Sequence, residues 1–173
     1  MKYYSLNHNS KPTLFQDAVK RGLAPDRGLY FPETITKLPN TFFEEIEDMS
    51  ITEMAYKVIK PYIGNQIKKE KLLEIIEETL DFDFPIIEIT ENIASLELFQ
   101  GPTLAFKDVG ARFMARCLGH FTGNTNEKIT VLVATSGDTG GAVANGFYDV
   151  EGINVVILYP KGKVSDIQEK QLT

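Results

Sequence analysis

The run 129-ITVLVATSGDTGGAVANGF-147, followed by 153-INVVILYP-160, decides the fold. A β-branched strand leads into a glycine-containing turn, an amphipathic helix and a second apolar strand, which is the order of a βαβ unit. Near-continuous apolar strands predict a parallel sheet covered on both faces. The fold class is therefore α/β. Upstream, PIIEIT and ASLELF at 85–90 and 94–99 read as two short strands. Further back, NTFFEEIEDMSITEMAYKVIKPYI and IKKEKLLEIIEETLDF carry apolar residues at helical spacing with acids and lysines on the outer faces, which predicts two or three amphipathic helices. A short helix from Leu14 to Arg21, capped by Thr13 and stopped by Gly22, precedes a turn and a strand near GLYFP. The change of character falls between Asp81 and Pro85. Residues 1–83 form a helical N-terminal domain, and residues 84–173 the first part of an incomplete parallel-sheet domain.

Composition narrows the functions. The 173 residues are 43% apolar and 10% aromatic, enough to bury a core. Eighteen basic against twenty-four acidic side chains give a net charge of −6, which disfavours nucleic acid and anionic membrane surfaces as partners. A single cysteine, Cys117, forms no internal disulfide, and His8 and His120 are too far apart in sequence to suggest a metal site. No signal-peptide run opens the chain, so a cytoplasmic location is expected. The acids around Glu74, Glu77 and Glu78 read as a solvated helix face. Cys117 reads as core, and His120 as a favourable charge near a helix C-terminus.

The stretch 99-FQGPTLAFKDVGARFMARC-117 raises a sharper point. A helix through Ala105 to Phe121 aligns Asp108, Arg112 and Arg116 on one stripe, read as the solvent side. Lys107 falls in the apolar arc, beside Gly110, Ala111, Met114 and Leu118. It also lies in the first turn, where the helix dipole disfavours a cation. Desolvation and the positive helix end both raise the share of free amine, which suits a Schiff-base lysine. The other reading is a lysine that snorkels from the helix end to water. In TSGDTGG, Ser136 or Thr139 is placed to cap the next helix. Gly137, Gly140 and Gly141 let the backbone approach a ligand, and Asp138 turns aside to order the loop. The loop suits a carboxylate better than a phosphate, because Asp138 would repel the latter and neither GxGxxG nor a P-loop is present. An ordinary capped helix start is the plain alternative.

Four segments in order carry a resemblance: YSLNHNSKPTLFQDAVKRGLAPDRGLYFPE, LFQGPTLAFKD, VLVATSGDTGGAVANGF and VVILYPKGKVSDIQEKQ. Together they resemble the threonine synthase family, pyridoxal-phosphate enzymes of the tryptophan-synthase-β-like fold (fold type II). The resemblance implies a lyase of threonine biosynthesis that converts O-phospho-L-homoserine and water to L-threonine and phosphate. It implies an aldimine of pyridoxal 5'-phosphate on Lys107, with Ser136, Gly137, Asp138 and Thr139 receiving the substrate's carboxylate. Two positions depart from the family pattern: Gln100 stands where HGPT has histidine, and Arg27 where PDGG has glycine. The family is also longer, so the chain reads as an N-terminal fragment ending inside a helix opened by Ser165 and Gln168. The groups that hold the cofactor phosphate and pyridine nitrogen are expected beyond Thr173. Alone, the fragment is expected to be inactive and to self-associate through apolar surface. A small-anion-binding module without catalysis is the competing function.

Overall fold

The computed structural model describes residues 1–123 and 128–172, and Thr173, where the chain is expected to stop inside a helix, lies outside them. The chain divides into two compact units, Met1–Glu77 and a second beginning at Glu78.

In the first unit, strands β1 (Tyr3–Ser5) and β2 (Tyr30–Pro32) pair antiparallel, with Tyr4 opposite Phe31. Helix α1 (Phe15–Arg21) lies between them in sequence and ends at Gly22, whose φ of 70° suits a residue without Cβ. Thr13 does not cap it. Leu14 holds the cap position, and the Thr13 hydroxyl donates instead to Asp17 at 3.0 Å, one turn into the helix. After α2 (Asn40–Glu44) and a 3-10 turn (Ile46–Asp48), α3 (Ile51–Ile63) opens with a reciprocal cap. Ser50 Oγ accepts from the Glu53 N–H at 3.2 Å, and Glu53 Oε2 accepts from the Ser50 N–H at 3.0 Å. In α4 (Lys69–Thr79), Leu72, Ile75, Ile76 and Thr79 recur at helical spacing and are all at most 2% exposed.

The turn before β2 is held by Asp26. Its Oδ1 accepts from the Ser5 hydroxyl at 2.6 Å and the Gly28 N–H at 3.0 Å, and its Oδ2 from the Asn9 N–H at 2.8 Å. The Ser5 bond, followed by the backbone donors, lowers its carboxyl to about 2. The neighbouring Arg27 has φ 67°, the left-handed region that glycine enters without strain. Arginine here accepts a backbone that a glycine, which the resemblance leads one to expect at this position, would favour.

The second unit starts with a hairpin of β3 (Ile86–Thr90) and β4 (Ile93–Leu96), whose residues are exposed throughout. Then come α5 (Lys107–Thr122), β5 (Ile129–Ala134), α6 (Asp138–Gly146), β6 (Ile153–Leu158) and α7 (Asp166–Leu172). β5 and β6 run parallel in unbroken register from Ile129 opposite Ile153 to Ala134 opposite Leu158, with α6 as the crossover. The architecture is α/β, as the strand–turn–helix–strand order predicts.

One expectation fails here. The sheet is not covered on both faces: exposure alternates along each strand, and Leu132, Val156 and Leu158 are 65%, 43% and 54% exposed. A continuous apolar run signals two apolar faces, but it does not say whether the described part of the chain contains a layer for each.

Helices α5 and α6 meet through small residues. Ala111, Ala115 and Ala142 are buried, and a Cβ on Gly146 would lie 3.0–3.2 Å from the backbone of Ala111 and Arg112. Backbone cannot step aside as a flexible side chain would. Gly146→Ala should therefore destabilise the chain by about 1–3 kcal/mol through overpacking, read from urea midpoints. Acid should loosen the first unit for a different reason. Because the folded Asp26 carboxyl titrates below its unfolded value, its contribution is complete above about pH 4 and disappears as pH falls through about 2. Asp26→Asn should reduce stability at neutral pH and flatten the loss between pH 4 and 2, which urea midpoints across that window will report.

Candidate functional site

The site grows from the loop 101-GPTLAF-106 that feeds α5. Asp108, one residue into the helix, is 1% exposed. Its Oδ2 accepts from the Thr103 N–H at 2.9 Å and its Oδ1 from the Thr103 hydroxyl at 2.5 Å. Gly101 lies so close that an added Cβ would sit 2.6 Å from Asp108 Oδ2 and 3.0 Å from Phe82. Leu104 completes the turn at φ 59°, an uncommon backbone for leucine, and its N–H donates to the Gly101 carbonyl at 3.1 Å. The loop is thus folded onto the carboxylate of Asp108, and Lys107 is the residue before it in the same turn.

The charged stripe of α5 faces inward, not to solvent. The Arg112 side chain is 12% exposed and meets Asp81 at 2.7 Å and the Glu78 carbonyl, while Arg116 donates to Glu78 Oε2 at 2.6 Å and to the Gly146 carbonyl at 3.0 Å. Acidic partners and backbone acceptors around α5 meet these groups, except that Arg112 Nε is buried without a hydrogen-bond partner among the described residues, and periodicity alone does not show partners distant in sequence. Glu78 accordingly ties down two arginines of α5 and is no mere solvated acid. The face expected to be apolar core is partly open, with Phe106 61% and Met114 38% exposed.

Lys107 lies at this open edge. Its side chain keeps 32% exposure, so it is not desolvated as the apolar arc suggests, and its Nζ sits 4.4 Å above the Phe106 ring. The decisive contact is with Asp138: Nζ donates to Oδ2 at 2.6 Å. That bond, followed by the Thr139 N–H donating to Oδ1 at 2.9 Å, holds the Asp138 carboxyl below the usual range. Two segments 31 residues apart in sequence are brought together, the first turn of α5 and the first turn of α6.

In TSGDTGG the cap is neither Ser136 nor Thr139. Thr135 Oγ1 accepts from the N–H groups of Gly137 at 3.1 Å and Gly140 at 3.0 Å, so the last residue before the loop closes it. Ser136 is exposed, Thr139 half-buried. The close approach that the glycines allow is taken up by the protein itself: Gly137 packs on Gln168, Gly140 on Thr135 and Leu172, and Gly141 on Gln171. Only Gly137, at φ 153°, also needs glycine for its backbone. Helix α7 brings those side chains up. Its start carries the predicted cap, with the Gln168 N–H donating to Ser165 Oγ at 3.3 Å.

Known proteins bear directly on this arrangement. Residues 2–80 match the family described as threonine synthase N terminus. Over 170 residues the chain is 46% identical to the threonine synthase of Haemophilus influenzae and 41% to that of Escherichia coli, covering 98% of this chain and 39% of each relative. The solved Escherichia coli threonine synthase matches with a TM-score of 0.91 at 41% identity, over 99% of this chain and 40% of that one. A pyridoxal-phosphate-bound threonine synthase from Brucella melitensis matches at 0.92 with 35% identity, over 100% and 38%. The chain belongs to the threonine synthase family. It spans about two-fifths of the length of these relatives.

Within this threonine synthase segment, Asp138 borders an open cleft of about 630 Å³ whose apolar wall includes Leu96, Phe99, Leu104, Phe106 and Ile167. Gln100 turns to Glu97, donating to its carboxylate at 2.7 Å. Cys117 is fully buried, and burial pushes its thiol up to about 12, which suits core packing and not reactivity. Among the described residues there is no cluster of three metal-ligating side chains and no helix long and apolar enough to cross a membrane.

Sequence reasoning missed Thr135 because it sits at the end of the strand, two residues ahead of the formal helix cap, where a threonine also suits a strand. Thr135→Val should cost about 0.5–2 kcal/mol in urea unfolding by leaving two N–H groups without their acceptor, whereas Ser136→Ala should leave the midpoint in place.

Proposed function

We propose that the chain is the N-terminal part of a threonine synthase that uses pyridoxal 5'-phosphate to convert O-phospho-L-homoserine and water to L-threonine and phosphate. The observation that carries the reading is the Lys107–Asp138 contact, because it joins the cofactor-lysine segment to the substrate-loop segment of one family. The residues present fit the cofactor. Lys107 offers a partly exposed amine, and the Asp138 beside it borders a cleft with aromatic and aliphatic walls wide enough for a flat ring. Groups for the cofactor's phosphate and pyridine nitrogen are proposed to belong to the part of the relatives that this chain does not span.

In this mechanism Lys107 holds the cofactor through its ε-amine. The bound cofactor supplies an electron sink for negative charge developing beside the substrate's Cα. When not engaged in holding the cofactor, the Lys107 amine serves as the base that moves protons at Cα and Cβ. In the loop of Ser136, Gly137, Asp138 and Thr139, the Ser136 and Thr139 hydroxyls receive the substrate's carboxylate. Phosphate departs from Cγ, and water adds at Cβ. Such a cofactor and substrate suit a cytoplasmic enzyme. The open sheet face at Leu132, Val156 and Leu158 is our reason for proposing self-association of the chain on its own, which sedimentation will check. We also propose that the chain alone makes no threonine, because it spans only two-fifths of the relatives' length. An anion-binding module without catalysis is not favoured, since relatives matching 98% of the chain are named as enzymes.

In the protein carrying this chain, Lys107→Ala should abolish borohydride-reducible attachment of pyridoxal phosphate and threonine formation together. Ser136→Ala should keep the attachment and lower kcat/KM about tenfold, the effect of losing one hydrogen bond to a charged group. Peptide mapping after reduction and a phosphate-release assay will decide. A Lys107→Ala protein that retained both properties would contradict the assignment.

A further inference from the structure

The contact between Lys107 and Asp138 does more than mark the site. Asp138 Oδ2 lies 2.6 Å from Lys107 Nζ, and its other oxygen takes the Thr139 N–H at 2.9 Å, so the carboxylate is fixed to the α6 backbone at one oxygen and to the amine at the other. The Phe106 ring lies under the ammonium at 4.4 Å and adds a second attraction for its charged form. Both groups remain partly open, at 32% and 54% side-chain exposure, so the pair can separate without unfolding anything around it. An amine reacts with a carbonyl carbon through its nitrogen, and here the carboxylate 2.6 Å away engages that nitrogen.

We propose that Asp138 is a positioning residue that latches Lys107: it holds Nζ in an ion pair beside the cleft and slows its attack on carbonyl compounds until the pair opens. On opening, the ammonium releases one proton to water, the nitrogen lone pair bonds to the carbonyl carbon, the two protons left on nitrogen pass to the oxygen, and that oxygen departs as water as the carbon–nitrogen double bond forms. The carboxylate then stands free at the cleft edge. A loop assigned to grip an anionic substrate thus carries its own negative charge without cost in the resting chain, because Lys107 neutralises it.

This inference rests on reading Lys107 as the carbonyl-holding residue, but acetic anhydride tests the amine alone. The purified chain is acetylated at pH 7.5 with trace reagent. The label on Lys107 is measured by peptide mass spectrometry relative to exposed Lys163. Asp138→Asn keeps one oxygen for the Thr139 N–H and replaces the oxygen that faces Lys107 with an uncharged amide NH2. It should raise relative labelling of Lys107 about two- to fivefold, the span set by a partly exposed ion pair, and Asp138→Glu should bring it back towards the original value. Should the asparagine variant fold poorly, 1 M salt added to the unaltered chain should raise relative Lys107 labelling, because it screens the pair. Equal labelling in the unaltered chain and Asp138→Asn, or in low and high salt where the variant cannot be used, would overturn the latch. That result would leave the cofactor assignment standing, and failed pyridoxal-phosphate tagging of Lys107 would leave the latch standing.

Discussion

The site depends on one buried carboxylate. Asp108 takes both donors of Thr103, the backbone N–H and the hydroxyl, and lies against Gly101 where no side chain would fit. An acceptor-only group enclosed in this way demands its partners, because an unmet charge in the interior costs more than a neutral group would. The loop 101–106 therefore has little choice of path. Its left-handed turn at Leu104 is held by closure around Asp108, and the helix begins where the loop's last bond is made. Lys107 is presented by this construction from a defined point, next to the residue that fixes it.

A second layer of charges holds α5 in its place. Arg112 and Arg116 reach Asp81, Glu78 and the Gly146 carbonyl, while Gly146 lets α6 come against the α5 backbone. Polar anchoring along one side and small-residue contact along another fix both the rotation of α5 and its distance from α6. The consequence is the position of Asp138, the first residue of α6, within hydrogen-bond reach of Lys107. Proximity of the two loops is here a product of helix packing, not of the loops themselves.

Much of this was legible in sequence, and the failures have physical causes. Strand–turn–helix–strand order predicts the parallel pair β5–β6, and the Ser165 and Gln168 pattern predicts the start of α7, because both are local signals. The stripe of Asp108, Arg112 and Arg116 was misread as solvent-facing since burial of a charge depends on partners such as Thr103, Asp81 and Glu78, whose approach is a tertiary matter. The glycines of TSGDTGG were read as room for a ligand, yet Gln168, Gln171 and Leu172 occupy that room, side chains from a helix about thirty residues on. Lys107 lies in the first turn of α5, where helical periodicity places it. Its partner Asp138 could not be paired with it without the fold.

The central claim is that Asp108 holds the loop that presents Lys107, and amide hydrogen exchange at Thr103 tests it most directly. In Asp108→Ala, exchange of the Thr103 N–H should quicken by about tenfold or more, the effect of losing a charge-assisted bond, while the amide of Ala115 in the middle of α5 keeps its protection. Equal protection of Thr103 in the two proteins would contradict the account.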